Sequence, residues 1–72
     1  MTRFPTIASI AGEVLPARDG QHVKVQIRRD GGWRTVLTVR LRGGAYRAAI
    51  TQPGVYRVAF RGEVGPDVRV RR

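Results

Sequence analysis

The chain reads GGAYRAAITQPGVYRVAF from Gly43 to Phe60, and within it two runs of alternating residues flank Pro53–Gly54. Side chains alternate between the two faces of a strand, so each run predicts a strand with one apolar face and one face carrying arginine. Proline fixes φ at a value that suits a turn, and glycine tolerates the φ angles that other residues avoid. The stretch therefore predicts a β-hairpin that joins Ala45–Ile50 to Val55–Phe60.

A second pair of alternating runs precedes this stretch, at His22–Arg29 and Trp33–Leu41. Between them, Asp30–Gly31–Gly32 tolerates the positive φ angles of a tight hairpin. Gly43–Gly44 predicts another tight connection. The alternation breaks at Val36, which indicates either a bulge or an exposed position.

The two ends of the chain complete the pattern. Thr6–Gly12 predicts a first strand, for which two registers stay open because a slip by one residue would invert every side chain. One register turns Phe4, Ala8 and Ile10 inward, and the other turns Ile7 and Ala11 inward. The remaining segments are a leader, two turns and a last strand: Met1–Pro5, Pro16–Gly20, Gly62–Pro66 and Asp67–Arg71.

Strands account for the whole pattern, since no window has the three- and four-residue apolar spacing of a helix. Six to seven short strands, separated by glycine and proline, predict an all-β fold, a small antiparallel β-sandwich. The inward positions predict the core: Val23, Val25, Ile27, Trp33, Leu37, Val39, Tyr46, Ile50, Tyr56, Val58, Phe60, Val68 and Val70.

Length and charge narrow the class of protein. A length of 72 residues predicts that the chain, residues 1–72, is one domain with a low free energy of unfolding. The chain has no cysteine, so a disulfide bond cannot stabilise it. It contains no apolar segment long enough for a membrane span and nothing that reads as a signal peptide. Of its 14 basic residues only Lys24 is not arginine, and the net charge of +9 predicts attraction to polyanions such as nucleic acid, wall polymers or acidic membranes.

The sequence offers no catalytic or metal-binding set. His22 and Ser9 are the only histidine and serine, and the five acidic residues are spread through turns. A nucleophile needs a base and an orienting group within hydrogen-bond reach. One histidine and scattered carboxylates make neither a zinc nor a calcium site. We therefore predict a non-enzymatic protein without a cofactor.

Outward arginines on three predicted strands form a candidate anion-binding face. This interpretation places Lys24, Arg28 and Arg47 on the opposite sheet. The alternative is an ordinary solvated face, because outward positions of exposed sheets are polar and long charged stems cover apolar surface. The residues of the candidate face are Arg34, Arg40, Arg57, Arg61, Arg69 and Arg71.

Nonspecific binding of nucleic acid by a small basic β-barrel is the alternative function. Single-strand-binding proteins combine a basic groove with aromatic side chains on which bases stack. The charge fits this class of protein. However, Trp33, Tyr46, Tyr56 and Phe60 fall on the inward parity of their strands, where so small a chain needs them for its core. The sequence then leaves only salt-dependent contacts with phosphates.

Five motifs follow one another along the chain: G-x-V-x-P-A, V-x-V-Q-x-R-R, G-x-W-x-T-V, G-x-Y and P-G-x-Y-x-V. They begin at Gly12, Val23, Gly31, Gly44 and Pro53. Together they resemble the small immunoglobulin-like or fibronectin type III-like modules of bacterial, especially actinobacterial, extracellular proteins. The last two motifs are also similar to carboxypeptidase-regulatory, transthyretin-like modules, which differ in strand order.

The resemblance implies an immunoglobulin-like sandwich with a non-catalytic accessory role. Such modules space, stabilise or anchor a larger secreted or cell-surface protein, so the implied partner is a neighbouring domain or an anionic cell-wall polymer. The implied location is extracellular or on the cell surface. Tyr56 matches the tyrosine corner, in which a hydroxyl bonds back to the upstream backbone, and its expected role is structural.

Overall fold

A computed structural model of the chain describes residues 5–14 and 20–71. Phe4, the leader apart from Pro5, and most of the predicted Pro16–Gly20 turn lie outside the described residues. The described part contains no helix and seven strands, numbered in chain order: β1 (Ala8–Glu13), β2 (His22–Arg29), β3 (Gly32–Arg40), β4 (Ala45–Ile50), β5 (Gly54–Phe60), β6 (Glu63–Val64) and β7 (Val68–Val70).

The strands form two antiparallel sheets that share one core. In the smaller sheet β1 pairs with β4. In the larger sheet the order is β3-β2-β5, and both β6 and β7 pair with the remaining edge of β5. The predicted fold class, an all-β small antiparallel sandwich of six to seven short strands, is confirmed.

Two-residue turns close the hairpins of the larger sheet. Arg29 pairs with Gly32, and between them Asp30 and Gly31 have φ angles of 51° and 79°. Positive φ at both central residues is the type I′ geometry, whose twist matches that of the strands. The predicted hairpin at Asp30 is therefore confirmed, and Arg61–Gly62 has the same signs of φ between β5 and β6.

The predicted hairpin of β4 and β5 is wrong. β4 pairs with β1 and β5 pairs with β2, so residues 51–53 carry the chain from one sheet to the other. A hairpin and a crossing both turn one apolar face of each strand toward the core, so alternation does not distinguish them. The connection differs, because none of residues 51–53 has the positive φ that both central residues of each hairpin turn have.

The edge strand opposite β3 is interrupted. Ala59 pairs with Val64 on β6, whereas Tyr56 pairs with Val68 on β7, which shifts the register by one residue between the two short strands. The predicted turn Gly62–Pro66 thus contains a two-residue strand, and the predicted last strand is limited to β7.

The core lies between the two sheets. Ala8 pairs with Ile50 and Ile10 with Ala48, so the first of the two open registers is the observed one, and Ile7 also packs against the core from just before β1. Val39, Tyr46, Val58 and Phe60 are half-buried. The buried hydrophobic residues are Ile10, Val23, Val25, Ile27, Leu41, Ala48, Ile50, Tyr56 and Val70.

Two predicted core residues remain open to solvent. Leu37 lies opposite Val25 on the inner face and Val68 lies opposite Tyr56, yet they are 38% and 39% exposed. Both belong to edge strands of the larger sheet. A sheet of only two strands does not cover a sheet this wide, so inward parity at the edges does not give burial.

The prediction that Trp33 is a core residue is wrong, because β3 contains a bulge. Leu37 lies opposite Val25 but Thr35 lies opposite Gln26, which leaves Val36 as the extra residue. An extra residue reverses the alternation for everything before it. Trp33 therefore faces outward, and Arg34 takes the inward parity opposite Ile27.

Candidate anion-binding face

The face of the larger sheet that points away from β1 and β4 gathers basic residues from several strands. Directly opposed residues of antiparallel strands share a face, so the register assigns its members. We call this surface the outer face. Its residues are His22, Lys24, Gln26, Arg28, Trp33, Thr35, Thr38, Arg40, Val55, Arg57, Ala59, Arg61, Val64 and Arg69.

Arg57 lies at the centre of the outer face and is fixed there by two contacts. Its Nε donates a hydrogen bond of 2.7 Å to Gln26 Oε1, and its guanidinium carbon lies 4.3 Å from the centroid of the Trp33 ring. Gln26 Nε2 in turn donates to Thr35 Oγ1 at 3.4 Å, a long bond. The guanidinium is therefore held in place before any ligand binds.

The pairing of Arg57 with Trp33 crosses a whole strand. Trp33 is on β3 and Arg57 on β5, with β2 between them. Neighbouring strands lie about 4.8 Å apart, so the two side chains must lean toward each other above β2 to come into contact. Trp33 is half-buried in this position, and cation–π attraction to the ring favours it.

A concavity of ≈ 370 Å³ lies beside Arg57 on the outer face. Ala59 sits between Lys24 and Val64 in the register, and its methyl group leaves the depression that longer side chains surround. Three basic residues, Lys24, Arg57 and Arg61, line it together with His22, and none of the described acidic residues is among its lining. The concavity has the size and charge to receive a phosphate or sulfate group.

The described acidic residues leave this charge largely uncompensated. Glu13 is on β1 in the smaller sheet, Asp30 is in the β2–β3 turn, and Glu63 lies opposite Phe60 on the inner parity. Asp67 precedes β7 at the margin of the larger sheet. Asp19 lies outside the described residues.

The structure brings four of the six predicted arginines to the outer face. Arg57 is central, Arg61 is in the turn that borders the concavity, and Arg40 and Arg69 lie toward the two edges of the sheet. Arg71 follows β7 and is exposed, and Arg34 is exposed on the inner parity, outside the group.

Sequence reasoning missed three members of this surface. Lys24 and Arg28 were expected on the opposite sheet, but β2 lies between β3 and β5, so they share the outer face with Arg57. Arg47 does belong to the smaller sheet. Trp33 was missed because of Val36, whose break in the alternation was the only signal in the sequence.

Tyr56 lies on the other side of the larger sheet and supports the crossing between sheets. Its side chain is buried, and its hydroxyl donates to the backbone carbonyl of Gln52 at 2.8 Å. Burial raises the pKa of Tyr56 above 10.0, and the positive charge of Arg29 partly opposes the shift. Arg29 also donates to the Gln52 side chain at 2.9 Å, which further fixes residues 51–53.

A larger groove of ≈ 790 Å³ lies elsewhere, where β1 and β4 meet the end of β3. Its lining mixes charge, because Glu13 faces the same space as Arg40, Arg42 and Arg47. Tyr46 also lines it, with its ring beside the backbone of Gly12. A carboxylate among the arginines makes this groove a weaker anion site than the concavity.

Within the described ranges, no three histidine or acidic side chains come together in a way that would hold a metal ion. Among the same residues there is no helix long and apolar enough to cross a membrane. Comparisons with protein-family models, with curated proteins and with solved structures found no match. The function is therefore argued from the outer face itself.

Proposed function

We propose that the protein is a non-catalytic binding module whose outer face binds anionic polymers. The observation that carries this proposal is the concavity around Ala59, which Lys24, Arg57 and Arg61 line and to which the described part of the chain contributes no carboxylate. A solvated face of ordinary composition would intersperse both signs of charge. Here the basic side chains converge on one depression, and Arg57 is already fixed by Gln26.

The binding would be mainly electrostatic. Each basic side chain that meets a phosphate or sulfate group releases counterions from the polymer, so affinity falls steeply as salt rises. Exposed charges are also screened over about 8 Å at physiological ionic strength. Several cations on one sheet face can contact the same stretch of polymer, which a chain with the same charge dispersed over its surface would not achieve.

We propose that this binding serves an accessory role in a larger extracellular or cell-surface protein. We propose an abbreviated immunoglobulin-like sandwich, in which β1 and β4 correspond to strands B and E, and β3, β2, β5 and β7 to C′, C, F and G. The strand order and the bond from Tyr56 to Gln52 support this correspondence. Such a module would anchor its parent protein through the polyanion that the outer face binds.

The test is a titration with heparin, which carries anionic groups but no aromatic bases. The variant Lys24→Glu plus Arg69→Glu reverses two charges on the outer face. Because the face is the proposed binding surface, heparin affinity should fall about tenfold at low salt. The matched control, Arg42→Glu plus Arg47→Glu, makes the same change of net charge at exposed positions outside the outer face.

The control pair should lower heparin affinity by about twofold or less, since only long-range charge changes. If the two double variants lose heparin affinity equally, net charge alone attracts the polymer and the outer face is not a defined binding surface. An unmodified chain that does not bind heparin even at low salt would refute the proposed function altogether.

A second candidate function, binding of nucleic acid, is favoured by the position of Trp33. The sequence argued against it because Trp33, Tyr46, Tyr56 and Phe60 were all predicted to face inward. The bulge at Val36 removes that objection for Trp33, which lies on the outer face in contact with Arg57.

A further inference from the structure

We infer that the polyanion bound by the outer face is single-stranded nucleic acid, with a base stacked on Trp33 and its phosphate in the concavity around Ala59. This inference rests on the proposed function, since it names the ligand class of the same surface. Trp33 holds the Arg57 guanidinium, and a half-buried indole beside the cations also suits a ligand that offers a planar ring as well as negative charge.

Arg57 connects the two parts of the site. Its guanidinium lies 4.3 Å from the Trp33 ring, and Arg57 is also one of the residues that line the concavity. An aromatic surface for a base and a basic depression for a phosphate are therefore contiguous. Stacking platforms next to a positively charged groove are the arrangement by which proteins bind single strands without sequence preference.

The hydrogen bonding of Arg57 leaves it able to bind phosphate. Among the described residues, the bond from its Nε to Gln26 Oε1 is the one hydrogen bond that its side chain makes. The two terminal nitrogens of the guanidinium remain as donors, and a guanidinium fork matches phosphate oxygens. Gln26 thus orients the fork while Trp33 packs against its plane.

The ring favours a single strand over the other polyanions. In a duplex the faces of the bases are stacked on one another, so a side chain on a sheet surface does not reach them. A single strand can turn a base toward the indole, and every base has a π-face, so the contact needs no sequence. Sulfated or phosphorylated wall polymers carry the charge but not the planar rings.

The flat surface around the ring suits an extended strand. Lys24 precedes Gln26 by two residues on β2, and Arg28 follows it by two, so cations continue on both sides of the Gln26–Arg57 pair. Residues two apart on one face are separated by about 6.6 Å along a strand. The outer face therefore offers successive basic contacts on either side of the stacked base.

The experiment measures quenching of Trp33, the only tryptophan, by two oligodeoxynucleotides of equal length and charge. One is an oligothymidylate and the other is the same backbone without bases. We expect the oligothymidylate to quench Trp33 and to bind about tenfold more tightly than the abasic oligomer. Trp33→Leu should reduce this difference to about twofold or less, measured by the anisotropy of labelled oligomers, and Trp33→Phe should restore part of it.

The outcomes separate this inference from the function on which it rests. Equal affinity for the two oligomers without quenching, or tighter binding of duplex or heparin than of oligothymidylate, would overturn the single-strand assignment and leave polyanion binding intact. Failure to bind heparin and both oligomers would overturn both. Lys24→Glu plus Arg69→Glu should lower the affinity for both oligomers equally. A loss of affinity for only one oligomer would contradict the division between base and phosphate contacts.

Discussion

At the scale of single residues, Tyr56 shows how one hydroxyl group supports the crossing between the two sheets. The ring is buried in the core, and the hydroxyl donates to the carbonyl of Gln52 in the connection between β4 and β5. Residues 51–53 have no partner strand to hold them. The bond thus fixes the segment through which the chain passes from the smaller sheet to the larger one.

We predict that Tyr56→Phe lowers the free energy of unfolding by about 1 kcal/mol at neutral pH, the usual contribution of one such bond. The pKa of Tyr56 is raised by burial, so its contribution to stability is complete below pH 10 and is lost as pH rises through the folded-state pKa. Denaturant unfolding followed across this range should therefore show an alkaline loss that the phenylalanine variant lacks.

The control for this prediction is Tyr46→Phe, since Tyr46 is half-buried against Gly12 at the other end of β4. It should keep the stability of the unmodified chain at neutral pH. If Tyr56→Phe is equally stable, or loses stability above pH 10 as steeply as the unmodified chain, the hydroxyl does not support the crossing.

At the scale of elements, the register of β3 on β2, with a bulge at Val36, determines which residues reach the outer face. Val36 has no partner on β2, because Leu37 pairs with Val25 and Thr35 pairs with Gln26. Removal of Val36 would make the pairing continuous without moving any other residue to a new partner. The position of Trp33 then depends on the register of β3 and not on the bulge residue itself.

We predict that deletion of Val36 is tolerated, with a change in stability of about 1 kcal/mol or less and an unchanged emission maximum of Trp33. Far-ultraviolet circular dichroism and tryptophan fluorescence would measure both. The matched control is deletion of Gln26, which lies opposite the bulge on β2. This deletion should be far more destabilising, because it would leave two residues of β3 without a partner instead of one. A deletion of Val36 that unfolds the chain or buries Trp33 would contradict the register.

Strand β3 also shows which features of the fold can be predicted from the sequence. Alternation correctly predicted the strands, the Asp30–Gly31 hairpin and the inward positions of β2, because each rests on local chemistry. It did not predict that β4 and β5 lie in different sheets, since hairpin and crossing give the same pattern. It also did not predict which face of the sheet Trp33 lies on, because the parity of β3 depends on which of its residues has no partner on β2.

Pairing between strands also decides which basic residues meet. Arg57 and Arg69 were predicted to share a face, since they lie on outward positions of strands near in sequence. Lys24 and Arg28 join them because β2 inserts between β3 and β5, a neighbour relation that no local pattern specifies. The candidate site was thus predictable as an arginine-bearing surface, but not as a concavity with an aromatic residue beside it.

At the scale of the whole molecule, the two sheets have different tasks. The smaller sheet covers the inner face of the larger one and leaves Leu37 and Val68 partly uncovered at its margins. The larger sheet bears the outer face, where cations from four strands lie together with one half-buried tryptophan. A chain with a net charge of +9 thereby concentrates its binding groups on one side of the sandwich.

The most direct test of this account is an NMR titration of the isotope-labelled chain with oligothymidylate. We predict that the single indole N–H signal of Trp33 and the backbone amides of β2 and β5 around Lys24 and Arg57 shift together and saturably. The amides of β1 and β4 should keep their positions. Shifts concentrated on β1 and β4, with the indole signal unmoved, would contradict the claim that the outer face is the binding surface.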